Sequence, residues 1–205
     1  MLSAARPARG FSLIELIVVI ALAGVLLSLG IPAITSWTGD ARLHSVAESF
    51  TNGLRLAQAT AVTRSHVTAF AVTSATPAYD AVPAANGSNW MVLVDPLSSS
   101  ETMDSNWLIQ SSTEARQYGV SVNSNNQTVV CFNSFGQQTA NLTTTQTSLP
   151  ANSCATPGVD TSPTYFELSR SGSSRKYRVL VYAGGRVRMC DAAKTLSTTN
   201  PDGCP

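Results

Sequence analysis

Seven basic side chains crowd one stretch of a weakly charged chain: Arg170, Arg175, Lys176, Arg178, Arg186, Arg188 and Lys194, against one acid, Asp191. Residues 71–163, by contrast, carry six acids and a single base, Arg116. A local cation excess of this kind is the footprint of an anion-binding edge. Lys176–Ala183 reads as a strand, Gly184-Gly185 as a two-residue hairpin turn and Arg186–Cys190 as the returning strand. Strand side chains alternate, which puts Arg186 and Arg188 on one face, ~6.6 Å apart, and Val187 and Met189 on the other. Guanidinium forks take phosphate oxygens two at a time, so this pair suits neighbouring phosphates of a nucleic-acid strand. Lys176, Arg178 and Lys194 are further candidates; Lys176 and Arg178, like Arg170 and Arg175, are weaker than the pair. Phosphate contacts carry no sequence information, so such binding is expected to be nonspecific and salt-sensitive. The competing reading is a solvated hairpin edge whose cations guard against edge-to-edge aggregation.

Other chemistry finds little support. The acids Asp95, Asp104 and Glu114 are scattered, and neither G-x-S-x-G nor a P-loop occurs. His44 lies four residues from both Asp40 and Glu48, the spacing of a solvated helix-face ion pair. His44, His66 and the cysteines show no metal-ligand spacing. An enzyme is not expected, nor a cofactor or metal. The four cysteines, Cys131, Cys154, Cys190 and Cys204, permit three pairings, and in an oxidising compartment an even number suggests disulfides. Cys131–Cys154 and Cys190–Cys204 are favoured because each closes a turn-rich segment. The second bond would pin the tail beside Arg186 and Arg188.

These residues need a scaffold. The chain has 205 residues, a formal net charge of +1 and 12% charged residues, with 43% hydrophobic. That excludes a disordered polyelectrolyte and a protein basic in bulk, and allows one domain with a modest core. Leu43, Val46, Phe50, Leu54, Ala57 and Ala61 recur at steps of three or four, one face of an amphipathic helix. One long helix is expected from about Ser12 to Arg64. Strands are expected at Val67–Thr73, Asn89–Asp95, Asn106–Ser111, Gly119–Val122, Thr128–Phe132, Tyr165–Ser169 and Lys176–Tyr182. Residues 74–89, 96–105 and 139–163 read as loops.

The other end of the chain is an anchor. Residues 16–39 hold no charge, and the apolar run from Leu16 continues to Ile34. That is long enough to cross a bilayer, which needs ~20 apolar residues. Arg6 and Arg9 precede it, so the N-terminus should stay cytoplasmic while the rest is exported. Glu15 sits within the apolar edge, where an acid is costly and calls for a partner. Gly24, Gly30 and Pro32 weaken the same helix.

Arg9-Gly10-Phe11-Ser12-Leu13-Ile14-Glu15 followed by the apolar run resembles the type IV prepilin signal. The resemblance implies that a prepilin peptidase cuts between Gly10 and Phe11 and methylates the Phe11 amine. It further implies that the helix is retained and that Glu15 pairs with the N-terminal amine of a neighbouring subunit. The expected organisation is then a leader at 1–10, a transmembrane and filament-core helix at 11–36, and a globular head at 37–205. Within the head lie helix 37–65, a sheet over 67–190 and a disulfide-pinned tail at 190–205. The fold expected is α+β, the type IV pilin fold: a long N-terminal helix, half membrane anchor and half amphipathic, packed on an antiparallel β-sheet.

Leu54–Arg64 with Val67, Trp90–Asp95, Cys131-Phe132-Asn133-Ser134-Phe135-Gly136 and Gly185–Arg188 resemble the GspH/FimT family of minor pilins and pseudopilins. Gln58 and Thr60 depart from it, standing where that family often has arginine and an acid. Gly185-Arg186-Val187-Arg188-Met189-Cys190 resembles the Gly-Arg-x-Arg-x-Cys tail of FimT-type members. That implies capture of extracellular double-stranded DNA by a type IV pilus in natural transformation. Similar ends occur in GspH/FimU-type members not regarded as DNA receptors, so a structural minor pilin or type II secretion pseudopilin without DNA affinity is the alternative. Partners implied are other pilins, the peptidase and the inner membrane, where the head faces the periplasm before assembly into a surface pilus.

Overall fold

The computed structural model describes residues 12–96, 101, 104–142, 149, 153–159 and 162–205; within the first helix the side chains of residues 27 and 29–36 also fall outside the description. The first helix, α1, runs Leu13–Arg64 without interruption. It is followed by β1 Thr68–Thr73, β2 Asn89–Val94, a 3-10 turn at Ser105–Trp107, β3 Leu108–Ser112, α2 Glu114–Gln117, β4 Val120–Asn123 and β5 Val129–Phe132. Then come β6 Gln138–Thr139, β7 Thr164–Arg170, β8 Lys176–Val181, β9 Val187–Thr195 and β10 Gly203–Cys204.

The chain divides into two compact units, Met1–Thr38 and Gly39–Pro205. In the first, Leu13, Ile14, Leu16, Ile17, Val18, Val19 and Ile20 are all exposed, as are Leu22, Val25 and Leu26. Glu15 sits in the first turn, its amide donating to the Ser12 carbonyl at 3.0 Å. Among the described residues no helix is long and apolar enough to cross a membrane. The expected span passes through residues 27 and 29–36, and the expected cleavage site, Gly10 and Phe11, also lies outside the described residues.

In the second unit the strands form two five-stranded sheets, in the orders β3-β2-β1-β5-β6 and β10-β9-β8-β7-β4. All pairings are antiparallel except β9 with β10, which is parallel. The apolar stripe of α1, Leu43, Val46, Ala47, Phe50, Leu54, Ala57 and Ala61, is fully buried. It packs in one core with Phe70, Val72, Trp90, Val92, Val130 and Phe132 of the first sheet and Phe166, Leu168, Tyr177, Val179 and Val181 of the second. Phe50 is the meeting point. Its ring lies 5.7 Å from Phe70 and 5.9 Å from Phe166, which are themselves 5.6 Å apart. Three rings from one helix and two sheets thus fix both sheets on the helix, each aromatic pair adding about 0.5–1.5 kcal/mol beyond area burial.

The outer face of the first sheet is covered too. Ala69, Ala71, Met91, Leu93, Val129 and Cys131 form a second cluster with Leu149 and Cys154. Because alternate residues of β1 serve the two clusters, the strand is buried along its whole length. The Cys131–Cys154 disulfide holds the covering segment in place. Residues 74–88 stay irregular but tied, with Asn89 already in β2: Asn86 and Ser124 exchange bonds, Asn86 N to Ser124 Oγ at 3.0 Å and Ser124 N to Asn86 Oδ1 at 2.9 Å.

Three strand boundaries differ from the sequence reading by two residues or more; the others agree to within one. The 3-10 turn takes residues 105–107, so β3 begins only at Leu108. Strand β8 ends at Val181, not Ala183, and β9 continues to Thr195, beyond Cys190. The extension exists because β10, two residues long, pairs with Asp191 and Thr195.

Candidate functional site

The β8–β9 hairpin closes through the three residues Ala183-Gly184-Gly185, not through a two-residue Gly-Gly turn. Tyr182 N donates to Arg186 O at 3.0 Å, and Gly185 N to Tyr182 O at 2.8 Å. Gly185 has φ +87°, the left-handed residue that completes a type I turn with a bulge. Ala183 is committed elsewhere: its carbonyl accepts from Gln138 N at 3.0 Å and its amide donates to Gly158 O at 3.2 Å. Gly185 is also a steric necessity, since a Cβ there would stand 1.9 Å from the carbonyl oxygen of Gly136. Gln58 on α1 donates from Nε2 to that same oxygen at 2.7 Å. Helix, β5–β6 turn and basic hairpin therefore meet at one point.

From this turn the register runs Val181 opposite Val187, Leu180 opposite Arg188 and Arg178 opposite Cys190. Val187 and Met189 turn toward the helix core. The other face carries the cluster Leu180, Tyr182, Cys190 and Cys204, joined by Tyr165. Arg186 is exposed, and its guanidinium carbon lies 4.0 Å from the centroid of the Tyr182 ring, a cation–π stack. Arg188 is half-buried and donates from Nη2 to the carbonyls of Pro201 at 2.9 Å and Gly203 at 3.1 Å. It acts as a clip on the tail that the Cys190–Cys204 disulfide also closes. Carbonyls do not neutralise a guanidinium, so its charge remains. A groove of about 430 Å³ separates α1 from the start of β9, lined by Glu48, Asn52, Arg55 and Arg188 among others.

The remaining cations are dispersed. Arg178 Nε is 2.7 Å from Glu167 Oε2, directly opposite it on β7, and its guanidinium carbon lies 5.0 Å from the Tyr165 ring centroid. Lys194 Nζ is 2.6 Å from Asp202 Oδ2 and 3.8 Å from Asp191 Oδ2. The hydrogen bond from Lys194 holds the Asp202 carboxyl below the usual carboxylate range, and the same bond raises Lys194 above the usual lysine value. Arg170 Nε donates to Tyr118 O at 2.9 Å, and Arg175 Nη1 to Tyr177 OH at 3.2 Å. Lys176 is exposed. Among the described residues neither Arg186, Arg188 nor Lys176 stands in an ion pair. His44 meets Glu48 at 3.6 Å and packs edge-on against Tyr177, while Asp40 accepts instead from the Ser173 hydroxyl.

The sequence reading passed over Glu167 and Asp202, the partners of Arg178 and Lys194. Glu167 is legible in the sequence: the turn between β7 and β8 centres on Gly172-Ser173, and counting out from it places Glu167 across from Arg178. Tyr182, a strand end by its sequence pattern, is the ring that carries Arg186.

Two family models match the chain. One, for the prokaryotic N-terminal methylation motif, matches residues 5–31. The other, described as type II transport protein GspH, matches residues 46–185. The chain belongs to the GspH family. Its N-terminal methylation motif and its helix-on-sheets head are those of a minor pilin or pseudopilin. No curated protein matches. Among solved structures, two crystal forms of the type IV minor pilin FimU of Pseudomonas aeruginosa strain PAO1 are similar. The first has 13% identity and a TM-score of 0.49, covering 77% of this chain and 95% of that one. The second has 12% identity and a TM-score of 0.45, covering 74% and 94%. The GspH match ends at Gly185, one residue before Arg186.

Proposed function

We propose that this GspH-family subunit binds extracellular double-stranded DNA without sequence preference through its β8–β9 hairpin, as part of a type IV pilus that supports natural transformation. One observation carries the reading. Arg186 holds its guanidinium over the Tyr182 ring beside the hairpin turn, exposed, with no carboxylate in ion-pair range among the described residues. A stacked guanidinium keeps its edge nitrogens free for phosphate oxygens and loses less freedom on binding. Arg188 adds charge and holds the neighbouring tail, and Lys176 adds a third uncompensated cation. Arg178 and Lys194, each in an ion pair, contribute less.

In this reading α1 is retained after a prepilin peptidase cuts between Gly10 and Phe11, with methylation of the Phe11 amine. The apolar half of α1 anchors the subunit in the inner membrane with its head in the periplasm, and later lies in the filament core. Glu15 offers its carboxylate to the N-terminal amine of the next pilin, so a charge that is costly in hydrocarbon is offset on assembly.

The two ion pairs favour a second reading, in which the subunit is a structural minor pilin or type II secretion pseudopilin without DNA affinity. Gel retardation of random-sequence duplex by the full chain in neutral detergent decides between them. Retardation that falls steeply with salt and is mostly lost in R186Q/R188Q supports the receptor. An unretarded duplex at low salt leaves the structural subunit.

A further inference from the structure

We propose that Phe135 is a base-stacking platform, so that the nucleic acid gripped most tightly at this corner is single-stranded. The inference rests on the DNA-binding reading above and extends its ligand from the duplex, held by phosphate contacts alone, to single strands. Phe135 is 83% exposed at the tip of the β5–β6 turn. A ring left in water is usually on a loose segment, but this turn is braced. Asn133 Oδ1 accepts from the amides of Phe135 and Gln137, each at 3.0 Å. Gly136 N donates to Asn133 O at 2.8 Å, Asn133 N donates to Gln137 O at 2.9 Å, and Gln58 caps the Gly136 carbonyl. The ring is thus presented at small ordering cost, the condition for a preformed contact.

Its neighbour is the cationic hairpin. Gly136 carries the carbonyl against which Gly185 is seated, so Phe135 and Arg186 flank one backbone contact, with Cα atoms no more than about 14 Å apart by chain geometry. Single-strand binders without sequence preference combine cations for the phosphates with aromatic rings for the bases, and Arg186 and Phe135 supply one of each on neighbouring turns. A duplex keeps its bases stacked inside and gains only the phosphate term. A pilin–pilin contact would ask for a broad apolar patch. Here Phe135 has Asn133, Ser134 and Gln137 in its own turn, and Val62, 48% exposed, is the aliphatic side chain against Gly136.

Fluorescence anisotropy on the full chain in neutral detergent tests this, with labelled oligothymidylate, the same strand made abasic, and a duplex of equal length. F135A is expected to weaken oligothymidylate binding about tenfold and to leave the abasic strand and duplex unchanged. F135W should retain the wild-type order, and R186Q should weaken all three. Equal effects of F135A on all three probes, or none on oligothymidylate, overturn the platform while the DNA-binding reading stands. A wild-type chain that binds no probe at low salt overturns both. Loss of filament incorporation in F135A with DNA binding intact assigns the ring to a neighbouring pilin and also overturns the proposal.

Discussion

Nη2 of Arg188 donates to the carbonyl of Gly203 at 3.1 Å, one residue before Cys204, while Arg186 touches no part of the tail by hydrogen bond among the described residues. The two arginines, two positions apart in sequence, therefore do different work. Arg186 offers its charge outward, and Arg188 spends its donors on the fold.

That division is measurable. R188Q should lose about 1–2 kcal/mol of stability, since a charged donor to two carbonyls is removed at a half-buried site. Amide exchange at Asp191 and Leu196, whose N–H groups donate to the Asp202 and Cys204 carbonyls of the tail, should accelerate. R186Q, which gives up one exposed cation–π contact, should leave exchange in the tail unchanged, cost no more than about 0.5–1 kcal/mol and act mainly on DNA. Equal exchange profiles for the two variants would contradict the assignment.

The tail carries a pH signature. Asp202 titrates below the ordinary carboxylate range because Lys194 donates to it. A depressed carboxyl contributes stability above its unfolded pKa, which is lost as pH falls through the folded value. Lys194 is raised by the same bond, so its contribution is present below its unfolded pKa and lost as pH rises through the folded one. The tail is thus best pinned between those limits. NMR titration should show the Asp202 midpoint below that of an exposed aspartate, moving upward in K194Q. An unmoved midpoint in K194Q would refute the pairing.

Gly185 should not tolerate a side chain. G185A places a Cβ 1.9 Å from the Gly136 oxygen and forces alanine to φ +87°. A cost above about 2 kcal/mol is expected from the clash and the backbone strain together. G184A, with nothing within 4 Å of its Cβ, should be nearly neutral. Chemical denaturation of the two variants checks the contrast.

The disulfides should differ in what they protect. Removing Cys131–Cys154 as a serine pair should cost on the order of 3 kcal/mol, or about 6–12 °C in melting temperature. It should also loosen the cover over Ala69, Ala71, Met91 and Leu93. Removing Cys190–Cys204 should act locally, because Arg188 and Lys194 still hold the tail. A larger stability loss from the second pair than the first would count against this picture.

Much of the scaffold was legible. The stripe from Leu43 to Ala61 repeats every three to four residues and can be little else than a buried helix face. The strands with β-branched runs, such as Tyr177–Val181, fall where expected. What was hidden depends on pairing between distant segments. Nothing in Gly203-Cys204 marks it as a strand; it becomes one by lying along β9, which in turn prolongs β9 past Cys190. Gln138-Thr139 pairs with β5, and Gln138 N bonds to the Ala183 carbonyl. The basic segment was legible as charge but not as circuitry, because Glu167 and Asp202 lie outside the stretch that looked basic. Phe135 illustrates the limit. By hydropathy it belongs in a core, and only the braced turn shows it in water.

The most direct test of the receptor account is retardation of random-sequence duplex by the full chain across a salt series, wild type against R186Q/R188Q. The account predicts salt-sensitive retardation in the wild type and its near loss in the variant, with circular dichroism unchanged. Equal retardation by both chains, or none by the wild type at low salt, would contradict it.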